Sequence, residues 1–142
     1  MTAKEYLNQV RDAKYQIESD LKRLDELRDL ATATGSRELK QDIVQTSIKN
    51  AGLEESVGKI VDCEAKIREE IKAYLDLKNF IVEQIRNLEA GELTSKYVQL
   101  LMRRYIDGES YELISVAMGY SYEWIRHLHS DALVAFWNQY EI

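Results

Sequence analysis

The chain has 142 residues, 45% hydrophobic and 31% charged, with no proline and six glycines; this fits one domain, or a small domain with a helical extension, in a mostly helical protein. The net charge of −6 argues mildly against DNA as a partner, because nucleic-acid affinity rests largely on neutralising phosphates, so a DNA reading must come from a specific motif. Cys63 is the only cysteine and no apolar run is long enough to span a bilayer, so an internal disulfide, a cysteine metal cage and a membrane partner are excluded, and a soluble, cytoplasmic protein without a secretory signal is expected.

The first expected element is one long helix over about residues 2–31. Ala3, Val10, Ile17, Leu24 and Ala31 recur every seven residues, and Tyr6, Ala13 and Leu27 take the companion positions, interrupted by Asp20. A narrow apolar seam with charged flanks belongs to a coiled coil or a helical hairpin. Thr32, Thr34, Gly35 and Ser36 then signal a stop, and Gly52 a second interruption, so residues 32–53 are expected to be an irregular linker, with a short helix over 38–50 as an option.

A second long helix is expected over about residues 54–88. Its stripe runs through Val57, Ile60, Val61, Ile67, Ile71, Tyr74, Leu75, Ile81, Val82, Ile85 and Leu88, with Glu64 and Lys78 at the edge. At ~1.5 Å per residue such a helix reaches about 50 Å, too far for a small core to cover. It must pair with the first helix, with another copy of the chain, or with both. A homodimer through the long helices is therefore expected, and the sequence leaves an intramolecular hairpin and an intermolecular coiled coil open.

From Glu92 onward the helices are short and separated by glycine. Tyr97, Leu100, Leu101 and Tyr105 form one apolar face that stops at Gly108. Ser110 suits the N-cap of the next helix, where Leu113, Ile114, Ala117 and Met118 are expected inward and which ends at Gly119. Ser121 caps a third helix that buries Ile125, Leu128, Ala132, Leu133 and Phe136 and turns Tyr122, Glu123, Arg126, His127 and Ser130 outward; Trp124 lies between the two faces. Two helices joined by Gly119, Tyr120 and Ser121 have the spacing of a helix-turn-helix. The expected fold is all-α, with a long antiparallel hairpin or coiled coil over residues 1–91 and a helix-turn-helix domain over 92–142.

The stretch from Gly108 through Ser110, Leu113, Ile114, Met118, Gly119, Ser121, Trp124 and Ile125, with Leu101, Arg104, Tyr105, Ala132 and Leu133 around it, is similar to the last DNA-binding region of bacterial sigma factors. This is the sigma-70 region 4-like, winged-helix-like class without a clear wing. Over its full length the chain resembles phage and prophage regulators from Gram-positive bacteria, the ArpU-like late-gene or autolysin regulators. Asp42, Val44, Gln45 and Ser47, and Val57, Lys59, Ile60 and Asp62, also match that family.

The resemblance implies double-stranded DNA and RNA polymerase as partners. It puts base or phosphate contacts at Tyr122, Glu123, Arg126 and His127, joined by Ser121 and Ser130 as base-facing candidates. Arg103, Arg104 and Trp124 are candidates for backbone contacts. A Glu123 carboxylate can accept from a cytosine amino group, and an arginine at 126 suits guanine or a phosphate. Sigma factors commonly carry arginines where this chain has Tyr122 and Trp124, which reduces the expected phosphate attraction.

His127 and His129 lie two residues apart and face nearly opposite sides of a helix, unlike paired metal ligands at a four-residue spacing. No phosphate-cradling glycine loop or nucleophile elbow is present, so no metal, cofactor or enzyme activity is expected. Two other readings compete: a DNA-packaging protein like a small terminase subunit, and an adaptor that docks on RNA polymerase without reading DNA.

Overall fold

A computed structural model describes residues 1–38 and 46–141, and every regular element among them is helical. They are α1 (Ala3–Glu38), α2 (Thr46–Arg86), α3 (Thr94–Leu101), α4 (Tyr111–Met118) and α5 (Tyr122–Tyr140), with a 3-10 turn at Gly91–Leu93 and a π turn at Met102–Ile106. None of the described helices is long and apolar enough to cross a membrane.

The irregular linker expected over 32–53 is mostly helix. Thr32, Thr34, Gly35 and Ser36 fall within α1, and Gly52 falls within α2; residues 39–45, including Asp42, Val44 and Gln45 of the family-like stretch, lie outside the described residues. A glycine costs a helix only about 1 kcal/mol relative to alanine, and no proline forces a break. Thr32 keeps its place by donating its hydroxyl to the Arg28 carbonyl at 2.9 Å, as Ser56 does to Gly52 at 2.9 Å.

The chain forms two compact units, one of residues 15–73 and one of residues 1–14 with 74–142. In the first, the expected seam of α1 is buried at Ile17 and Leu24, together with Ile67 of α2. Arg28 donates to Glu64 at 2.8 Å. Asp20, at a companion position of the seam, is buried as well, only 3% exposed. Lys66 approaches it at 4.0 Å, and Gln16 at 3.5 Å. A hydrogen bond with Glu70 keeps the Asp20 carboxyl below the usual aspartate range. Burial, then Asp20 itself, pushes Glu70 above the usual glutamate range. The stripe of α2 splits in this unit: Ile67 is buried while Val57, Val61 and Ile71 stay exposed.

The second unit carries the main core. Leu100, Leu101, Ile114, Ile125, Ala132 and Phe136 are fully enclosed, and the same cluster takes in Ala3, Leu7 and Val10 from α1 and Ile81 and Ile85 from α2. This unit takes in the end of α2 together with residues 92–142. Full burial of each such side chain contributes roughly 1.5–3 kcal/mol, so short helices that could not hold alone are stabilised by long-range packing. Polar clips fix their placement. Tyr6 donates to the Gln84 side chain at 2.6 Å and Tyr140 to the Gln84 carbonyl at 2.5 Å. Gln139 donates to the Asn87 carbonyl and accepts from the Glu89 N–H at 2.7 Å, which satisfies backbone groups left open where α2 ends.

Candidate nucleic-acid interface

The junction between α4 and α5 is set by local chemistry. Ser110 caps α4 by accepting from the Leu113 N–H at 3.3 Å, and Ser121 caps α5 by accepting from the Trp124 N–H at 3.2 Å. Between them Gly119 takes φ 74°, ψ 29°, the left-handed conformation that L side chains resist. The N–H groups of Gly119 and Tyr120 both donate to the Ser115 carbonyl, at 3.0 and 3.1 Å. A Cβ at Gly119 would meet nothing within 4 Å, so its dihedral alone explains the glycine.

On α4 only Ile114 is fully enclosed, flanked by Tyr111 and Met118. Leu113 and Ala117, expected inward, are exposed: a two-turn helix packed along the row 111, 114 and 118 has no second row to bury. On α5 the buried row is Ile125, Leu128, His129, Ala132 and Phe136. Leu133, expected in it, is only half-buried.

Glu123, Arg126, His127 and Ser130 are exposed together on the opposite face of α5. Ser130 donates to the Arg126 carbonyl at 3.2 Å, and the Ser121 hydroxyl is engaged in its cap. Tyr122 sits edge-on against Tyr111, with ring centroids 6.2 Å apart, and the Arg126 guanidinium lies 5.9 Å over the Tyr122 ring. Trp124, which periodicity leaves between two faces, is 51% exposed and lies beside Tyr120 at 6.4 Å. The Lys96 ammonium is 5.3 Å over that same Tyr120 ring. Cations over aromatic faces hold their orientation as well as their charge.

Arg103 and Arg104 are half-buried and committed elsewhere. Arg103 grips both oxygens of Glu109, at 3.1 and 3.2 Å. Arg104 donates to the Glu109 carbonyl at 3.0 Å and packs 4.3 Å over the Tyr111 ring. They pin the loop at Gly108 (φ 71°) that follows the π turn, so a phosphate would have to compete with these bonds.

His129 is the functional-looking residue that the pattern conceals. It is buried at 6% exposure, with Nε2 2.7 Å from the Tyr105 hydroxyl and Nδ1 3.4 Å from the Tyr111 hydroxyl. A neutral imidazole has one donor and one acceptor nitrogen, and two hydroxyls can serve either tautomer. Burial, then the charges of Arg104 and Lys4, lowers its pKa to about 4; burial likewise raises the Tyr105 hydroxyl well above its ordinary value. His127 and His129 do face apart, one exposed and one in the core.

Lys96 and Tyr111 also escape sequence reasoning, since their partners lie on other elements. The outer face of α5 thus offers one two-pronged donor, the carboxylates of Glu123 and Asp131, an imidazole and flanking aromatic rings. From Glu92 onward, four basic residues stand against seven acidic ones. No protein-family model, curated protein or solved structure matches the chain, so the arrangement of these side chains carries the functional reading.

Proposed function

We propose that the chain is a DNA-binding transcriptional regulator of the phage or prophage type it resembles, with α4 and α5 acting as a helix-turn-helix that lays the start of α5 in a major groove. The observation that carries this reading is the exposed strip Glu123, Arg126, His127 and Ser130, directly after the left-handed turn at Gly119, on a helix anchored by Ile125, Leu128 and Phe136. Arg126 can span guanine O6 and N7, and Glu123 can accept from a cytosine amino group. The Tyr111 and Tyr122 rings support Arg126 in place.

Few cations are available for phosphates, so affinity comes from elsewhere. A second copy supplies another half-site by linking two binding events, or RNA polymerase supplies the missing contact. The long helices are read as an antiparallel hairpin: Arg28 meets Glu64, while Asp20, earlier on α1, meets Glu70, later on α2.

The test is fluorescence anisotropy at low salt on DNA from the protein's own genomic neighbourhood. Arg126→Ala should cost about 1–3 kcal/mol of discrimination, roughly 5- to 150-fold, at one base position. Equal affinity for unrelated DNA, together with no effect of Arg126→Ala or His127→Ala, would falsify the reading. The polymerase adaptor is favoured by one observation, the exposure of Leu113 and Val116 on α4, at 60% and 83%. Co-purification of polymerase with a protein that binds no DNA at low salt would select it.

A further inference from the structure

The apolar stripe of α2 is wider than a single partner helix covers. Two rows run along it, each advancing by alternating steps of three and four residues. The row through Ile60, Cys63, Ile67 and Glu70 is buried or half-buried. The adjacent row, one residue further round the helix, contains Val57, Val61, Glu64, Arg68, Ile71 and Leu75. Its four apolar members are 49%, 56%, 37% and 47% exposed in chain order. Alternating three-four spacing is the signature of a seam that packs knobs into holes along another helix, and α1 already serves the inner row through Ile17, Asp20 and Leu24, while Arg28 reaches its margin at Glu64.

We infer that this outer row is a homodimer interface, packed antiparallel against the same row of a second copy about a two-fold axis level with Lys66. The sequence of the row is self-complementary about that level. Val61 of one copy meets Ile71 of the other, Val57 meets Leu75, and Glu64 meets Arg68. At the margins Glu54 meets Lys78. Each pair lies equidistant from residue 66, which is what an isologous two-fold contact requires: if one residue meets a second, the second meets the first.

Charge selects the orientation. A parallel pair would set Glu64 against Glu64 and Arg68 against Arg68 in two successive layers, whereas the antiparallel pair joins opposite charges in both. Arg68 is available for this: its side chain is 80% exposed, with a 4.0 Å approach to Glu64 of its own helix. Glu64 already accepts from Arg28 at 2.8 Å, so Arg68 of the second copy would add to a positioned carboxylate.

This inference gives the dimer invoked above a face, an orientation and a register, and it does not rest on DNA reading. Its test uses the full chain with Cys63→Ser, so that no native thiol interferes. Sedimentation should show a concentration-dependent dimer. Under mild oxidation, a mixture of Val61→Cys and Ile71→Cys chains should give a covalent dimer containing one of each, while either chain alone cross-links poorly. Arg68→Glu and Glu64→Arg should each weaken the dimer by roughly tenfold or more, since each sets like charges together, and mixing the two variants should restore assembly.

A monomer at every soluble concentration overturns the inference. So does a dimer in which each cysteine variant cross-links to itself, or one indifferent to both charge changes. Loss of DNA binding with the cross-linking pattern intact counts against the α5 reading and leaves this interface standing.

Discussion

Acid should destabilise the C-terminal helices through His129. His129 has an ordinary pKa of 6.5, and its surroundings hold it at about 4 in the folded protein. Above the ordinary value neither the folded nor the unfolded chain carries a proton there, and the contribution to stability is complete. Below it the unfolded chain takes up a proton that the core refuses, so stability falls by about 1.4 kcal/mol per pH unit until the folded value is reached. The loss is about 2 kcal/mol at pH 5 and about 3 kcal/mol near pH 4, a large share of the total stability of a small domain.

Urea titrations followed by the fluorescence of Trp124 and Trp137, both on α5, measure this at neutral pH, about pH 6 and about pH 5. The control is His129→Gln, which can hydrogen-bond but does not titrate. It should be less stable at neutral pH by about 1–3 kcal/mol, yet lose less on acidification than the parent. Glu70 remains in both proteins, so the difference between the two slopes isolates the histidine. Equal slopes, or an imidazole titration near the ordinary value by NMR, would refute the reasoning.

Two other outcomes are expected. Gly119→Ala should cost about 1–2 kcal/mol and lower the melting temperature by several degrees, since only the backbone dihedral opposes the methyl group; an unchanged melt would mean the turn relaxes. Glu70→Gln should leave acid stability nearly unchanged and raise stability progressively as the pH climbs above 4.5, the ordinary glutamate value. The folded carboxyl is held above that value, so the parent loses stability as the pH passes through it, whereas an amide donates to Asp20 at any pH. Parallel thermal melts across that range for parent and variant would contradict the proton-sharing pair.

The features legible in the sequence are those that one helix dictates to itself. A seven-residue repeat buries Val10, Ile17 and Leu24 whatever they pack against, and serines before a periodic run become caps because their hydroxyls reach an open N–H. The outward strip of α5 follows from the same arithmetic. Helix ends do not: Gly35, Ser36 and Gly52 look like stops, but continuing a formed helix is cheap and starting a new one is not. His129 occupies the row of Ile125, Ala132 and Phe136, yet an apolar pattern passes over a polar residue whose partners, Tyr105 and Tyr111, lie 24 and 18 positions away. The engagement of Arg103 and Arg104 depends on the loop at Gly108, a tertiary matter that no periodicity contains.

Asp20 affects how the long helices find their alignment. A purely apolar seam is indifferent to slippage, because a shift by one repeat again lays branched side chains against branched side chains. Asp20 is not indifferent. In the hairpin reading, a slip of seven residues would take it from Glu70 to the thiol of Cys63 or the hydrocarbon of Leu77, where a buried carboxylate would lose its hydrogen-bonding partner. Misaligned pairings would then be disfavoured by electrostatics, where hydrophobicity alone would accept them. In the hairpin reading, the two carboxylates and the Arg28–Glu64 pair would together mark the alignment of the seam.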